Sequence, residues 1–248
     1  MRNINHGNER SFLVQNIVFR VGASAAILSN KWFDGLRSQF KLLHIVRTQK
    51  CGRDSSNCIV TTNDNEGNHG VSLSKDVVKI AGRTMEKNLS ELGPYVLPFS
   101  EQSKLLYSIL FRSTVYSLWR ILETMNRKSL AEKILIPIGS DQLALYLPDF
   151  TRGIDYFCIH AGGRGVLDTI ERNLQLRPVH TEPCRSVLQH YGNTSSSSVW
   201  YELDYIRKVK NLRRGERVLQ IAFGSGFKCN SAVWLAIVHS PVCKAKND

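Results

Sequence analysis

Apolar and polar positions divide this chain into segments of different period. Residues 1–10 are polar and read as a frayed end. The run from Phe12 to Asn30 is dense in apolar and β-branched residues and reads as one or two buried strands, with Gly22 placed for a close backbone approach. Leu42 to Thr48 alternates more loosely and is a further strand candidate. Residues 51–70 carry Asp54, Ser55, Ser56, Asn63, Asp64, Asn65 and Gly67 and read as a polar loop. The period then changes to 3.6 residues. Val77, Val78, Ile80, Ala81, Met85, Leu89 and Leu92 share one helix face, opposed by Lys79, Arg83, Glu86 and Lys87. Ser72 or Ser74 is placed to cap that helix and Gly93-Pro94 to end it.

Residues 101–125 differ in kind. Leu105, Leu106, Ile109, Leu110, Phe111, Val115, Tyr116, Leu118, Trp119, Ile121 and Leu122 cover most of a helix circumference, interleaved with Lys104, Arg112 and Arg120. Such a helix is either buried in a core or laid on a membrane or lipid channel. Ile134 to Ile138 offers a short strand.

Two similar units follow. In the first, strand-like Ile154 to His160 meets the tight turn Ala161-Gly162-Gly163, and Val166, Leu167, Ile170 and Leu174 then share a helix face. The second closes its approach at Gln189 to Asn193 and continues through Thr194 to Ser198 into Val199, Trp200, Leu203 and Ile206 at helical spacing. The serine run is either linker or helix start; the periodic face behind it favours the start. Finally, Arg217 to Phe223 and Cys229 to His239 flank Gly224-Ser225-Gly226 as a β-hairpin. Alternating strands and helices place the fold in the α/β class.

Composition adds three constraints. At 248 residues with 42% apolar and 22% charged positions, the chain is globular, and chains of this size bury roughly 70–75% of their unfolded surface. No run of about 18 apolar residues provides a membrane span, and Met1 to Arg10 lacks the apolar centre of a signal peptide. The six cysteines, at 51, 58, 158, 184, 229 and 243, form no C-x-x-C pair and none sits beside a His at zinc spacing, so free thiols and no metal site are expected. The formal charge of +12 predicts attraction to polyanions: nucleic acid, anionic lipid heads or phosphate-bearing small molecules.

Candidate chemistry gathers at strand ends. His160 stands where a buried strand meets a glycine turn, a place from which an imidazole donates to an oxygen gaining negative charge; a satisfied core histidine is the alternative. Asn193 follows Gly192 and opens a helix, either as a substrate-facing amide or as a plain N-cap. Gly224 and Gly226 suit close approach to a ligand or a hairpin turn equally. Cys158 and Cys229 lie in apolar strands without an activating neighbour and read as inert. Arg207, Lys208, Lys210, Arg213, Arg214 and Arg217 form a cation run that holds phosphates or simply faces solvent.

Taken together, Phe-Arg-Val-Gly-Ala-Ser-Ala-Ala-Ile-Leu-Ser-Asn (19–30), Gly-Val-Ser-Leu-Ser-Lys-Asp (70–76), Leu-Gly-Pro-Tyr-Val-Leu-Pro (92–98), Ile-His-Ala-Gly-Gly-Arg (159–164), Gly-Asn-Thr-Ser-Ser-Ser-Ser-Val-Trp-Tyr-Glu-Leu (192–203) and Phe-Gly-Ser-Gly-Phe-Lys-Cys-Asn-Ser-Ala-Val-Trp (223–234) resemble plant-type 3-ketoacyl-CoA synthases of very-long-chain fatty acid elongation. The resemblance covers about residues 12–240 and is weakest at 112–147. It implies a thiolase-like α/β fold of two similar halves, with 1–40 a remnant of the first half, 41–241 the second half carrying an apolar and basic helical insert at 101–147, and 242–248 a tail. It implies a decarboxylating Claisen condensation of acyl-CoA with malonyl-CoA, with no cofactor beyond those substrates. His160 and Asn193 take the places of the enolate-stabilising pair. Gly192, Gly224, Gly226, Arg213 and Arg214 are the expected substrate contacts.

The resemblance also implies an endoplasmic reticulum membrane setting, dimerisation with itself or another thiolase-like chain, and no nucleic acid. The family's nucleophilic cysteine belongs to an upstream Gly- and Ala-rich turn, and none of the six cysteines here has that context. The family's N-terminal membrane helices are not in this sequence either. Gln49, Tyr156 and Gln189 stand where family histidines are expected, with His190 adjoining the last. The isolated chain is therefore expected not to condense acyl-CoA with malonyl-CoA. A non-catalytic partner of intact synthases is the second reading, and a basic nucleic-acid-binding domain the third.

Overall fold

The computed structural model describes residues 12, 16–49, 52, 57–63, 65–74, 76–125 and 144–239. Its centre is a four-stranded mixed sheet. The strands are β1 (Phe40–Gln49), β4 (Tyr156–Ile159), β5 (Arg217–Gly224) and β6 (Lys228–Ala236), in the order β1-β6-β5-β4. β1/β6 and β6/β5 are antiparallel, and β5/β4 is parallel. A separate hairpin joins β2 (Ile59–Asn63) to β3 (His69–Leu73). The helices are α1 (Val77–Val96), α2 (Phe99–Thr124), α3 (Arg164–Asn173), α4 (Pro178–Tyr191) and α5 (Ser198–Val209).

The two-residue period of the strands sorts side chains into two cores. Phe157 and Ile159 of β4, Leu219 and Ile221 of β5 and Val233 of β6 face Met85, Leu89 and Leu92 of α1 with Leu167 and Ile170 of α3. Cys158, Val218, Trp234 and Ala236 point the other way, onto Val199, Leu203 and Ile206 of α5. Polar ties fix the layers. Asn88 of α1 reaches the carbonyls of Val46 at 3.2 Å and Cys229 at 3.1 Å, and accepts from the Ser231 hydroxyl. Gln220 donates to the Val199 carbonyl at 3.2 Å and accepts from the Trp234 indole at 2.8 Å.

This mixed α/β architecture, a sheet packed by helices, is the class read from the sequence. The β1 strand, the α3 and α5 faces and the β5/β6 hairpin fall where the pattern put them. Five expectations are corrected. The run Phe12 to Asn30 forms no strand pair in the described residues beyond an isolated bridge of Phe19 to Asn193; Val21 and Ile27 are 89% and 100% exposed, because no sheet edge lies beside them to complete a ladder. Gly22 does approach closely: a Cβ there would fall 2.7 Å from Thr194 Cβ.

Within the expected polar loop 51–70 lie β2 and the start of β3, whose few apolar residues are outnumbered by turn formers; Cys58 and Ile59 tuck against Ile80 and Ala81. Helix α1 does not stop at Gly93-Pro94. Pro94 forfeits one backbone bond in the last turn, Leu97 N–H closes it onto Gly93 O at 2.9 Å, and the break falls before Pro98. Ser72 and Ser74 do not cap it; Asp76 occupies the N-cap. The two units are dissimilar, since the approach to Asn193 is helix α4 and not a strand. The strand expected at Ile134 to Ile138 and the 242–248 tail lie outside the described residues.

Candidate active site

The site lies at the C-terminal end of the parallel pair β4/β5. His160 leaves β4, with its N–H on Ile221 O at 2.9 Å, and its carbonyl accepts from Gly162 N–H at 2.7 Å, which sets the tight turn. The imidazole packs edge-on against Phe223, centroids 6.5 Å apart. Its Nδ1 is buried without a hydrogen-bond partner. Burial lowers its pKa to about 4, only partly opposed by the Ser195 backbone. At neutral pH the ring is therefore an uncharged imidazole, a donor through one nitrogen only.

Asn193 is 1% exposed. Its Oδ1 accepts from Ser195 N–H at 2.8 Å, which fixes the amide's orientation, and Nδ2 reaches the Gly162 carbonyl at 3.4 Å. Its backbone bridges the N-terminal segment through Val18 O and Arg20 N–H. Asn193 is not the expected N-cap: Thr194 and Ser197 precede the 3-10 turn and α5, while the Asn193 oxygen holds a local turn at Ser195 and its nitrogen turns toward the His160 turn. Gly192 precedes it at φ +68°, where a Cβ would fall 2.6 Å from Arg20 Cγ, so glycine is required there.

Gly224 ends β5 at this same end of the sheet, and Gly226, at φ +67°, forms the following turn. No protein atom stands within 4 Å of a Cβ built at either, and only Gly226 needs glycine for its turn. Arg213 and Arg214 do not join them. They precede β5 and so lie beyond the opposite end of the sheet, Arg213 N–H bonded to Glu216 at 2.6 Å. With a rise of about 3.3 Å per residue, the length of β5 separates them from Gly224 by more than about 20 Å. The cation run also breaks up: Lys208 pairs with Asp204 at 2.6 Å and Lys210 with Glu182.

Other cations line a cleft next to the site, one that neither His160 nor Asn193 lines. A cleft of about 550 Å³ opens beside Gly163 and Gly192, with Arg20, Arg164 and His190 on its lining. Arg164 directly follows Gly162-Gly163 at the start of α3, and that adjacency was the available signal. Gln189 lines the cleft too, whereas Gln49 pairs with Lys228 at the end of β1 and Tyr156 opens β4 with its hydroxyl on Lys210 O at 3.4 Å.

Behind the strand, Cys184 serves the free edge of β4: its Sγ accepts from Ile159 N–H at 3.3 Å and donates to Phe157 O at 3.5 Å. Glu202 is fully buried beside it, and burial raises its carboxyl well above the usual range. Burial also raises the thiols of Cys58, Cys158, Cys184 and Cys229, so none of these four described cysteines is a ready thiolate.

Residues 1–114 match the family described as FAE1/Type III polyketide synthase-like protein, and residues 119–238 match the C-terminal domain of chalcone and stilbene synthases. The 3-ketoacyl-CoA synthase 4 of Arabidopsis thaliana is 47% identical over 234 residues, 94% of this chain and 41% of its own length. Along nearly its whole length the chain is similar to plant 3-ketoacyl-CoA synthases. A probable 3-ketoacyl-CoA synthase 20 of Oryza sativa subsp. japonica is 44% identical over 233 residues, covering 93% of this chain and 40% of the relative. The chain thus spans about two fifths of the length of these synthases. Among solved structures, the C-terminal type III polyketide synthase domain of Steely1 from Dictyostelium aligns at TM-score 0.48 and 20% identity, over 81% of this chain and 41% of that domain.

Proposed function

We propose that this chain belongs to a 3-ketoacyl-CoA synthase and carries the enolate-stabilising part of a decarboxylating condensation site. In this reading the malonyl thioester oxygen sits between His160 and Asn193. The bond to the carboxylate breaks, CO₂ leaves, and the electron pair passes into the thioester as an enolate. A neutral imidazole N–H and a fixed amide N–H, both shielded from bulk water, stabilise that oxyanion as it forms, and each such donor is worth roughly 10²–10³ in rate. In the complete reaction the enolate carbon bonds to an acyl thioester carbon and expels the thiolate. That half needs an acylated cysteine, and the buried, protonated thiols described above do not supply one.

The observation that carries this reading is the pairing itself: the Asn193 amide turned onto the Gly162 carbonyl, two residues beyond an uncharged His160 whose Nδ1 has no partner. Very-long-chain acyl-CoA as co-substrate, an endoplasmic reticulum setting and a division into 1–40, 41–241 and 242–248 are part of the same proposal, carried over from the resemblance. The chain alone is expected to convert malonyl-CoA to acetyl-CoA and CO₂, the enolate taking a solvent proton, and to form no 3-ketoacyl-CoA when acyl-CoA is added. His160→Ala and Asn193→Ala each slow CO₂ release on the order of 10²-fold. Robust 3-ketoacyl-CoA synthesis by residues 1–248 would refute the division of labour.

A second reading rests on the apolar segment at 21–36. Trp32, Phe33 and Leu36 are all more than 70% exposed, and a thiolase-like chain pairing there would cover them. Co-elution with an intact synthase, lost on replacing Trp32 and Phe33 by Ser, supports this role; separate elution at micromolar concentrations contradicts it.

A further inference from the structure

The strand that delivers His160 is the edge of its sheet. Among the described residues β4 pairs with β5 alone, so one side of it meets no strand. Helices close that side. Cys184 of α4 accepts from the Ile159 N–H at 3.3 Å and donates to the Phe157 carbonyl at 3.5 Å. Glu202 of α5 lies against the same thiol and the same N–H. Glu202 is 0% exposed, and neither carboxyl oxygen completes a hydrogen bond among the described residues. Its neighbours on α5 are Val199, Leu203 and Ile206, all packed in the core with Cys158. The titratable groups that face it are the Cys158 and Cys184 thiols, and no described cation offsets its burial. An acid in that setting stays protonated and costs stability, where a leucine would pack without that penalty. Buried polar atoms left unpaired in this way mark places where a fold gives up stability for a working arrangement.

We propose that Glu202 is a positioning residue that, with Cys184, pins the open edge of β4 and so aims the His160 imidazole. This role rests on the enolate-stabilising one proposed for His160. Ile159 is the residue before His160. On the β5 side, His160 is held by its own N–H on the Ile221 carbonyl at 2.9 Å. On the other side the hold passes through the Ile159 peptide to the thiol and the carboxyl. A protonated carboxyl offers one O–H and one carbonyl oxygen, the pair needed to bridge a sulfur and an N–H. An edge peptide without such partners opens locally, and a displacement of about 1 Å at a catalytic group costs up to about 10²-fold in rate. Glu202 itself is sealed behind the strand, so it acts through His160 and not on substrate.

Kinetics of malonyl-CoA decarboxylation, thermal melts and histidine-ring NMR of the purified chain test the assignment together. Glu202→Leu and Glu202→Met fill the space without a hydrogen-bond donor. Each is expected to lower kcat about tenfold to a hundredfold with KM unchanged. Each is also expected to melt at or above the wild-type midpoint, which sets lost packing aside as the cause. Glu202→Gln keeps a neutral donor and acceptor and is expected to restore most of kcat. Ile206→Val, in the same core, is expected to lower the midpoint and leave kcat in place. The ring signal of His160, assigned by its loss in His160→Ala, reads the imidazole without turnover. It is expected to move in Glu202→Leu and to stay in Glu202→Gln. A moved signal in a chain that releases no CO₂ would uphold the positioning and fault the reaction proposed for His160. Three results overturn the proposal: wild-type kcat with an unmoved ring signal in both apolar variants, a glutamine variant as slow as the leucine one, or an equal loss of kcat in Ile206→Val.

Discussion

Two regions of this chain are rich in apolar residues and meet opposite ends. In β4, β5 and β6 nearly every large side chain is buried, and buried polar groups such as Asn88, Gln220 and Trp234 find partners. In α2 and residues 21–36 the same residue types face solvent, Ile27 completely. Burial therefore follows from which partners the chain itself supplies, and not from hydrophobicity alone. The catalytic candidates stand in the first kind of region and the candidate contact surface in the second.

Truncations separate the two regions most widely. Leu219→Ala, deep between α1 and the sheet, is expected to destabilise by about 2–5 kcal/mol, whereas Leu110→Ala on α2 stays within about 0.5 kcal/mol in denaturant titrations. Comparable losses at both positions would mean that α2 is covered in solution.

Gly192→Ala ranks next. It sets a side chain at φ +68° against Arg20, so a loss of about 1–3 kcal/mol is expected, with weaker malonyl-CoA decarboxylation because Asn193 is displaced. An unchanged thermal midpoint would show that Arg20 yields freely.

The smallest effect concerns the root of α2. Glu101 accepts from the Tyr146 hydroxyl at 2.6 Å, from Asp149 N–H at 3.1 Å and from Lys104 at 3.0 Å, which lowers its pKa to about 2. A carboxyl depressed in the folded state stabilises above its unfolded pKa, near 4.5. That contribution drains away as pH falls from there toward 2. Glu101→Gln should flatten this part of the stability profile between pH 5 and pH 3, read by thermal melts; an unaltered slope would place the acid sensitivity elsewhere.

How much was legible in the sequence follows the same divide. Segments whose partners are close in sequence, such as the β5/β6 hairpin and α5, were readable from period and turn residues. The run at 12–30 was misread because its apolar residues announce a strand, while a strand exists only beside another edge. His160 and Asn193 are singled out by motif and position, and the structure brings Asn193 to the turn that follows His160. Arg20 and Arg164 were passed over because charge density drew attention to 207–217, whereas the fold carries isolated arginines to the cleft. Glu202 sits on the inner face of α5 among Val199, Leu203 and Ile206, where a period-based reading sees only the apolar residues.

The central claim is that His160 and Asn193 act on one oxygen as a unit. A double-mutant cycle on malonyl-CoA decarboxylation tests it directly. Residues that share an oxyanion lose most of their effect together, so His160→Ala with Asn193→Ala should be scarcely slower than either single variant. Losses that multiply in full, or a single variant that keeps wild-type CO₂ release, would contradict the account.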